Sequence, residues 1–158
     1  MGVVDCTISM FKKTEWLIRY YPSYKALIQE KKAKIELLQK YGLQEFSKSI
    51  VILSASSNNP NVGLEELLEE EIEKNIKQIA WLTKVVELID MGLFEVRSDP
   101  YYGIIELKYW RRWSMEQIAE HYNTATTTIY RNRDRLVHKI KNVVFAGDRL
   151  KTIMEVDK

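Results

Sequence analysis

Apolar residues return every three or four positions along two long stretches of this chain, and the stretch between them lacks that rhythm. Helical spacing begins at Thr14. Two series spaced by seven then stand out: Tyr21, Ile28 and Ile35, and Tyr24, Lys31 and Leu38. Together they make an a/d-like stripe carrying one lysine, which predicts a helix over residues 22–41 that stops near Gly42. Pro22 lacks the backbone donor that a helix interior uses, so it is expected to kink a helix or to start a new one after a short helical turn over residues 14–20.

The second periodic stretch is Leu64, Leu68, Ile72, Ile76, Ile79, Leu82, Val86 and Ile89. It predicts a helix of about 26 residues, roughly 40 Å long. Glu65, Glu66, Glu69, Glu70 and Glu71 crowd its first turns, where the helix dipole favours negative charge. They read first as a solvated face and second as a surface for a basic partner. Between the two helices, residues 47–63 are turn and loop chemistry. Within them Ser49 to Leu53 reads as a loop with a hydrophobic foot, or else as a short strand. Two amphipathic helices joined by a polar loop are expected to close as an antiparallel hairpin, coiled-coil-like in its stripe. The stripes are narrow, which leaves apolar surface for a second copy of the chain, so a homodimer or higher oligomer through the hairpin is expected.

After Pro100 the pattern becomes three short helices in quick succession. Ile104, Ile105, Leu107, Lys108 and Tyr109 form the first, which ends in Trp110-Arg111-Arg112-Trp113. Ser114 followed by Gln117 is a capping box opening a second helix over residues 115–121, with Ile118 and Ala119 buried. Ala119 is small enough for two helices to cross closely, and Asn123 tolerates the left-handed conformation of a turn. A third helix starts near Thr126 and turns Ile129, Leu136 and Ile140 to the core. The expected architecture is all-α: an N-terminal extension (residues 1–10), a helical hairpin (11–91), a hinge from Met91 and Gly92 (92–99), a compact helix-turn-helix unit (100–147) and a tail (148–158).

Charge sharpens this picture. The formal net charge is only +2, but between Tyr101 and Lys151 ten basic residues face five acidic ones, a net of +5 on the segment where a polyanion would bind. Cys6 is the single cysteine, so one chain can build neither an internal disulfide nor a cysteine zinc site. No apolar run reaches the length of a membrane span and no signal-peptide pattern opens the chain, which points to a cytoplasmic protein without a membrane partner. His121 and His138 are too far apart to share a ligand site on one helical turn, and no phosphate loop or nucleophile elbow is present. No enzyme activity, catalytic residue, cofactor or metal is therefore expected. The four tryptophans, Trp16, Trp81, Trp110 and Trp113, read as core and interface rather than as a stacking platform.

At 100° per residue the side of the third helix opposite its core presents Thr127, Arg131, Asp134, Arg135 and His138. Only the first turns of a recognition helix reach base edges, so Thr127, Tyr130 and Arg131 are the candidate base contacts. Arg111, Arg112, Thr126, Arg135, His138 and Lys139 are placed for phosphates. Asp134 would be repelled by phosphate unless it orients Arg131 or Arg135. These arginines also fit a solvated basic face, and it is the capping box, the small residue, the turn asparagine and the charge excess in one unit that favour double-stranded DNA.

The residues from Ile104 to Trp110, Ser114 to Glu120 and Thr128 to Arg131 resemble the region 4 helix-turn-helix of sigma-70-type factors, a domain that reads promoter −35 elements. The upstream Lys12 to Arg19, with the hairpin and its Ser/Asn loop, is similar to phage late-gene transcriptional activators of the RinA and ArpU type. The resemblance covers residues 11–144, strongest in the last third. It implies a phage or prophage transcriptional activator that binds DNA upstream of late genes and touches RNA polymerase. Two departures stand out: Ala125 replaces the usual Ser or Thr cap of the recognition helix, with Thr124 or Thr126 available to take over, and Arg112 replaces a common glycine. Competing readings are a small-terminase-like packaging subunit, which light scattering would reveal as a ring, and a dissociable sigma-like factor, which would direct core polymerase alone.

Overall fold

The computed structural model describes residues 9–42 and 63–150. The expected strand or loop at Ser49 to Leu53, most of the extension and most of the tail lie outside these residues. Every element described is helical: α1 (Met10–Tyr41), α2 (Leu64–Val96), α3 (Gly103–Ile105, widening into a π-helical Glu106–Trp110), α4 (Met115–His121) and α5 (Thr126–Val144), followed by a 3-10 turn at Ala146–Asp148. The all-α expectation holds. None of these helices is long and apolar enough to cross a membrane. The chain forms two compact units, Tyr24–Thr83 and a second made of Met1–Ser23 with Lys84–Lys158.

In the unit Tyr24–Thr83, stretches of α1 and α2 pair antiparallel. Along α1, Ile28 and Leu38 are buried and Tyr24, Lys31 and Ile35 partly buried, while the other residues from 25 to 41 are exposed. The predicted stripe is therefore the contact face. The stripe on α2 differs from expectation at one place: Ile76 is 51% exposed and Asn75 is 2% exposed. Steps of four and three from Leu68 through Ile72 land on position 75, then on Ile79 and Leu82, so a strict heptad passes over Ile76. Asn75 satisfies its amide on its own helix, donating to the Glu71 carbonyl at 2.7 Å and to Glu71 Oε1 at 3.2 Å. The lysine in the α1 stripe donates to the Gln78 side-chain carbonyl, and Lys34 meets Glu71 at 2.6 Å.

In the other unit Pro22 does not start a new helix, because α1 runs through it for 32 residues. Proline cannot donate to the carbonyl four residues back, that of Ile18. The indole Nε1–H of Trp110 donates to that carbonyl instead, at 2.9 Å, and the ring stacks on Tyr21 at 5.9 Å. Ile18 is fully buried, so a tertiary donor replaces the missing backbone one where water has no access. Tyr21 in turn donates to Asp90, and burial together with that carboxylate pushes its hydroxyl up to about 12.

The expected hinge at residues 92–99 is also corrected. α2 continues to Val96, with Leu88, Ile89, Leu93 and Val96 buried in unbroken helical spacing. Gly92 is a contact point rather than a hinge: a Cβ there would lie 2.8 Å from Ile140 Cγ2 and 3.4 Å from Val144 Cγ2 on α5. Glycine costs ~1 kcal/mol inside a helix, and here its missing side chain lets α2 and α5 approach this closely. The real turn comes later, where Asp99 accepts from the Tyr101 N–H at 2.9 Å and the chain bends into α3.

Candidate nucleic-acid interface

Three short helices close over one small core. Ile104, Leu107, Met115, Ile118, Ala119 and Ile129 are buried together, with Tyr101, Trp113 and Tyr122 packed around them. The capping box forms as read from sequence: Gln117 N–H donates to Ser114 Oγ at 3.2 Å and Ser114 N–H to Gln117 Oε1 at 2.9 Å. At the end of α4, Asn123 takes φ 50°, and Thr124 N–H reaches back to the Ala119 carbonyl at 2.9 Å, a Schellman-type closure. Arg112 also has positive φ, 57°. The helix α3 is not regular throughout: Arg111 N–H bonds to the Glu106 carbonyl five residues back. On this widened turn Tyr109 is buried and donates to Glu15 at 2.6 Å, and burial and the carboxylate push its hydroxyl far above the ordinary tyrosine range.

The helix α5 spans 19 residues and is fixed by one side. Ile129, Leu136, Val137, Ile140 and Val144 are fully buried. On its first turns Thr127, Tyr130 and Arg131 are exposed and adjacent. Of the six residues assigned to phosphates, Arg111, Arg112, His138 and Lys139 are exposed, while Thr126 and Arg135 are partly buried. Arg111 leans on Glu106 at 3.1 Å, and the His138 ring packs on Phe11 at 5.1 Å.

Two details depart from the sequence reading. Asp134 orients neither Arg131 nor Arg135; it pairs with Arg133 at 2.6 Å, and Arg133 also meets Glu15 at 3.3 Å. Arg135 is engaged inside the protein, its fork spanning Asp99 at 2.6 and 3.0 Å and Asn132 at 3.0 Å. The bidentate arginine holds the Asp99 carboxyl below the usual range, aided by the Tyr101 N–H against the cost of burial. Asp99 thus ties the turn before α3 to the middle of α5. Periodicity could not have indicated the Arg135–Asp99 and Arg133–Glu15 pairs, because their partners are 36 and 118 residues apart in sequence.

The cap of α5 is decided as well. Ala125 occupies the N-cap with φ −72° and ψ 149° and makes no side-chain cap, and Thr126 is already helical, so neither neighbouring threonine is the N-cap. The first N–H groups of this helix therefore lack an N-cap side chain and lie next to Thr127. Such donors at the positive end of a helix dipole suit an anionic oxygen.

Comparison of this chain with family models, with curated proteins and with solved structures finds no match.

Proposed function

We propose that this protein is a sequence-specific duplex-DNA-binding transcriptional regulator that reads bases with the N-terminal turns of α5. The observation that carries the reading is one helix with two opposite characters. Its apolar side is buried, Ile129 in the core of the three helices and Ile140 and Val144 against Gly92 of α2, and Thr127, Tyr130 and Arg131 stand exposed on its opening turns. Arg131 offers the fork that matches guanine in the major groove, and Thr127 a methyl for thymine. Arg111 and Arg112 before α4, and His138 and Lys139 farther along α5, are exposed as cations or donors for phosphate, and the uncapped start of α5 adds backbone donors. Activation of phage late genes and a contact with RNA polymerase follow from the resemblance to the RinA and ArpU type. The expected partner of the helical hairpin is a second copy of the chain, since Leu37 and Ile76 remain about half exposed in the unit Tyr24–Thr83.

The test is selection of bound fragments from random duplexes by the full chain, followed by titrations of the selected and scrambled sites. Arg131→Ala should lose roughly 1–3 kcal/mol of discrimination between them. Lys139→Ala should weaken both alike and lower the salt slope by about 0.9. At the helix start, Ala125→Ser should leave affinity intact and Ala125→Asp should reduce it, although both improve the cap. A protein that selects no sequence and binds no duplex at low salt would overturn the reading.

A further inference from the structure

A second basic edge lies beside α5, on the first turns of α1. Phe11 packs on His138, the Arg133 guanidinium sits 5.6 Å from the Phe11 ring, and Glu15 pairs with Arg133, so this end of α1 is docked along the flank of α5. Lys12 and Arg19 are seven residues apart, which places them on a common edge of α1 about 10 Å from each other along its axis. Both are exposed, and neither forms an ion pair among the described residues. Lys108 on α3 completes the group. Burial, and then the nearby Arg133 and Arg19, make its charge harder to hold, and only Glu15 and Glu116 offset them. Glu15 accepts from Tyr109 and shares Arg133 with Asp134, so the carboxylates here are held on internal partners and neither Lys12 nor Arg19 is paired with them.

We propose that Lys12, Arg19 and Lys108 form a second phosphate-binding track that grips the backbone of the same duplex beside the bases read by α5. This rests on the DNA-binding reading above and extends its footprint from the recognition helix to the hairpin's first helix. Lys12 and Arg19 share one edge of α1, and Lys108 lies near Arg19, so the three can follow one phosphate backbone. Phosphate oxygens would be met by a fork at Arg19 and by point charges at the two lysines.

The experiment is fluorescence anisotropy with a labelled 30-base-pair duplex and the full chain, from low to high salt. Each phosphate contact adds about 0.9 to the slope of log affinity against log salt, or about eightfold in affinity at 0.1 M relative to 1 M. Lys12→Gln with Arg19→Gln should therefore lower the slope by about 1.8 and the affinity at 0.1 M by about 60-fold. Lys32→Gln with Lys40→Gln removes the same charge from α1 in the unit Tyr24–Thr83 and should change the slope little. Thermal melting of both double variants should match the parent, since all four residues are exposed. An unchanged slope for the first pair while the parent protein binds, or an equal loss for the second pair, overturns the track and leaves the recognition helix in place. A parent protein that binds no duplex overturns both.

Discussion

The carbonyl of Ile18 gives a direct way to test how this fold accommodates a proline in mid-helix. Trp110→Phe removes the indole donor but keeps an aromatic ring beside Tyr21. Ile18 is fully buried, so its carbonyl is left without a partner, a loss of about 1–3 kcal/mol. Pro22→Ala restores a backbone N–H that can donate to the same carbonyl within α1. With Pro22→Ala already in place, the loss of the indole should then cost less, because the acceptor is already served. The smaller ring costs the same packing in both backgrounds, so that part cancels in a double-mutant cycle. The expected coupling is about 1–2 kcal/mol, outside the ~0.5 kcal/mol scatter of independent sites. Urea unfolding of the four proteins, followed by circular dichroism and compared at constant m-value, measures it. Additive effects would refute the idea that Trp110 and the missing proline donor serve one acceptor.

Three further outcomes follow from local geometry. Gly92→Ala forces a methyl to 2.8 Å from the buried Ile140 side chain and should destabilise by about 1–3 kcal/mol in urea unfolding; an unchanged midpoint would mean the helices can separate freely there. Arg112→Gly relieves a left-handed backbone and should stabilise by roughly 0.5–1 kcal/mol, while the salt slope of DNA binding falls by about 0.9; a lower midpoint would contradict the strain argument. Asp99 has a folded-state pKa below its unfolded one, so its stabilisation is complete above the ordinary aspartate value of about 3.9 and is lost as pH falls through the lower folded value. Because Arg135 is 38% exposed, that share is at most about 1 kcal/mol, and the stability gap between the parent and Asp99→Asn should hold at neutral pH and shrink as the pH falls below about 3.9; a gap unchanged by acid would exclude the pair as its source.

Much of the fold is legible in the order of residues. Heptad spacing places the contact face of α1, because side chains seven apart return to one side of a helix whatever they pack against. The capping box, the Ala119 crossing and the Asn123 turn are equally local and form where the sequence puts them. Sequence reasoning goes astray where a distant group reverses a local preference. Pro22 reads as a kink or a new helix start because its missing donor is a local fact, whereas the Trp110 indole that compensates lies 92 positions from the carbonyl it serves, a separation only the fold closes. Gly92 reads as a hinge because glycine is poor in helices, until Ile140 is seen to leave no room for a side chain there.

The candidate interface divides in the same way. Periodicity suffices to point Thr127 and Arg131 away from the core, since the buried Ile129, Leu136 and Ile140 leave only one side of α5 open. Which cations are free to meet a ligand depends on charges brought close by folding. Arg131, Arg133 and Arg135 follow one another at intervals of two, yet Arg133 and Arg135 are tied to Glu15 and Asp99, which lie far away in the chain. Amino-acid order determines which helices form and which faces turn inward, because backbone geometry repeats every few residues. Only the packed structure decides which arginines remain unpaired, because electrostatic partnership depends on distance in space.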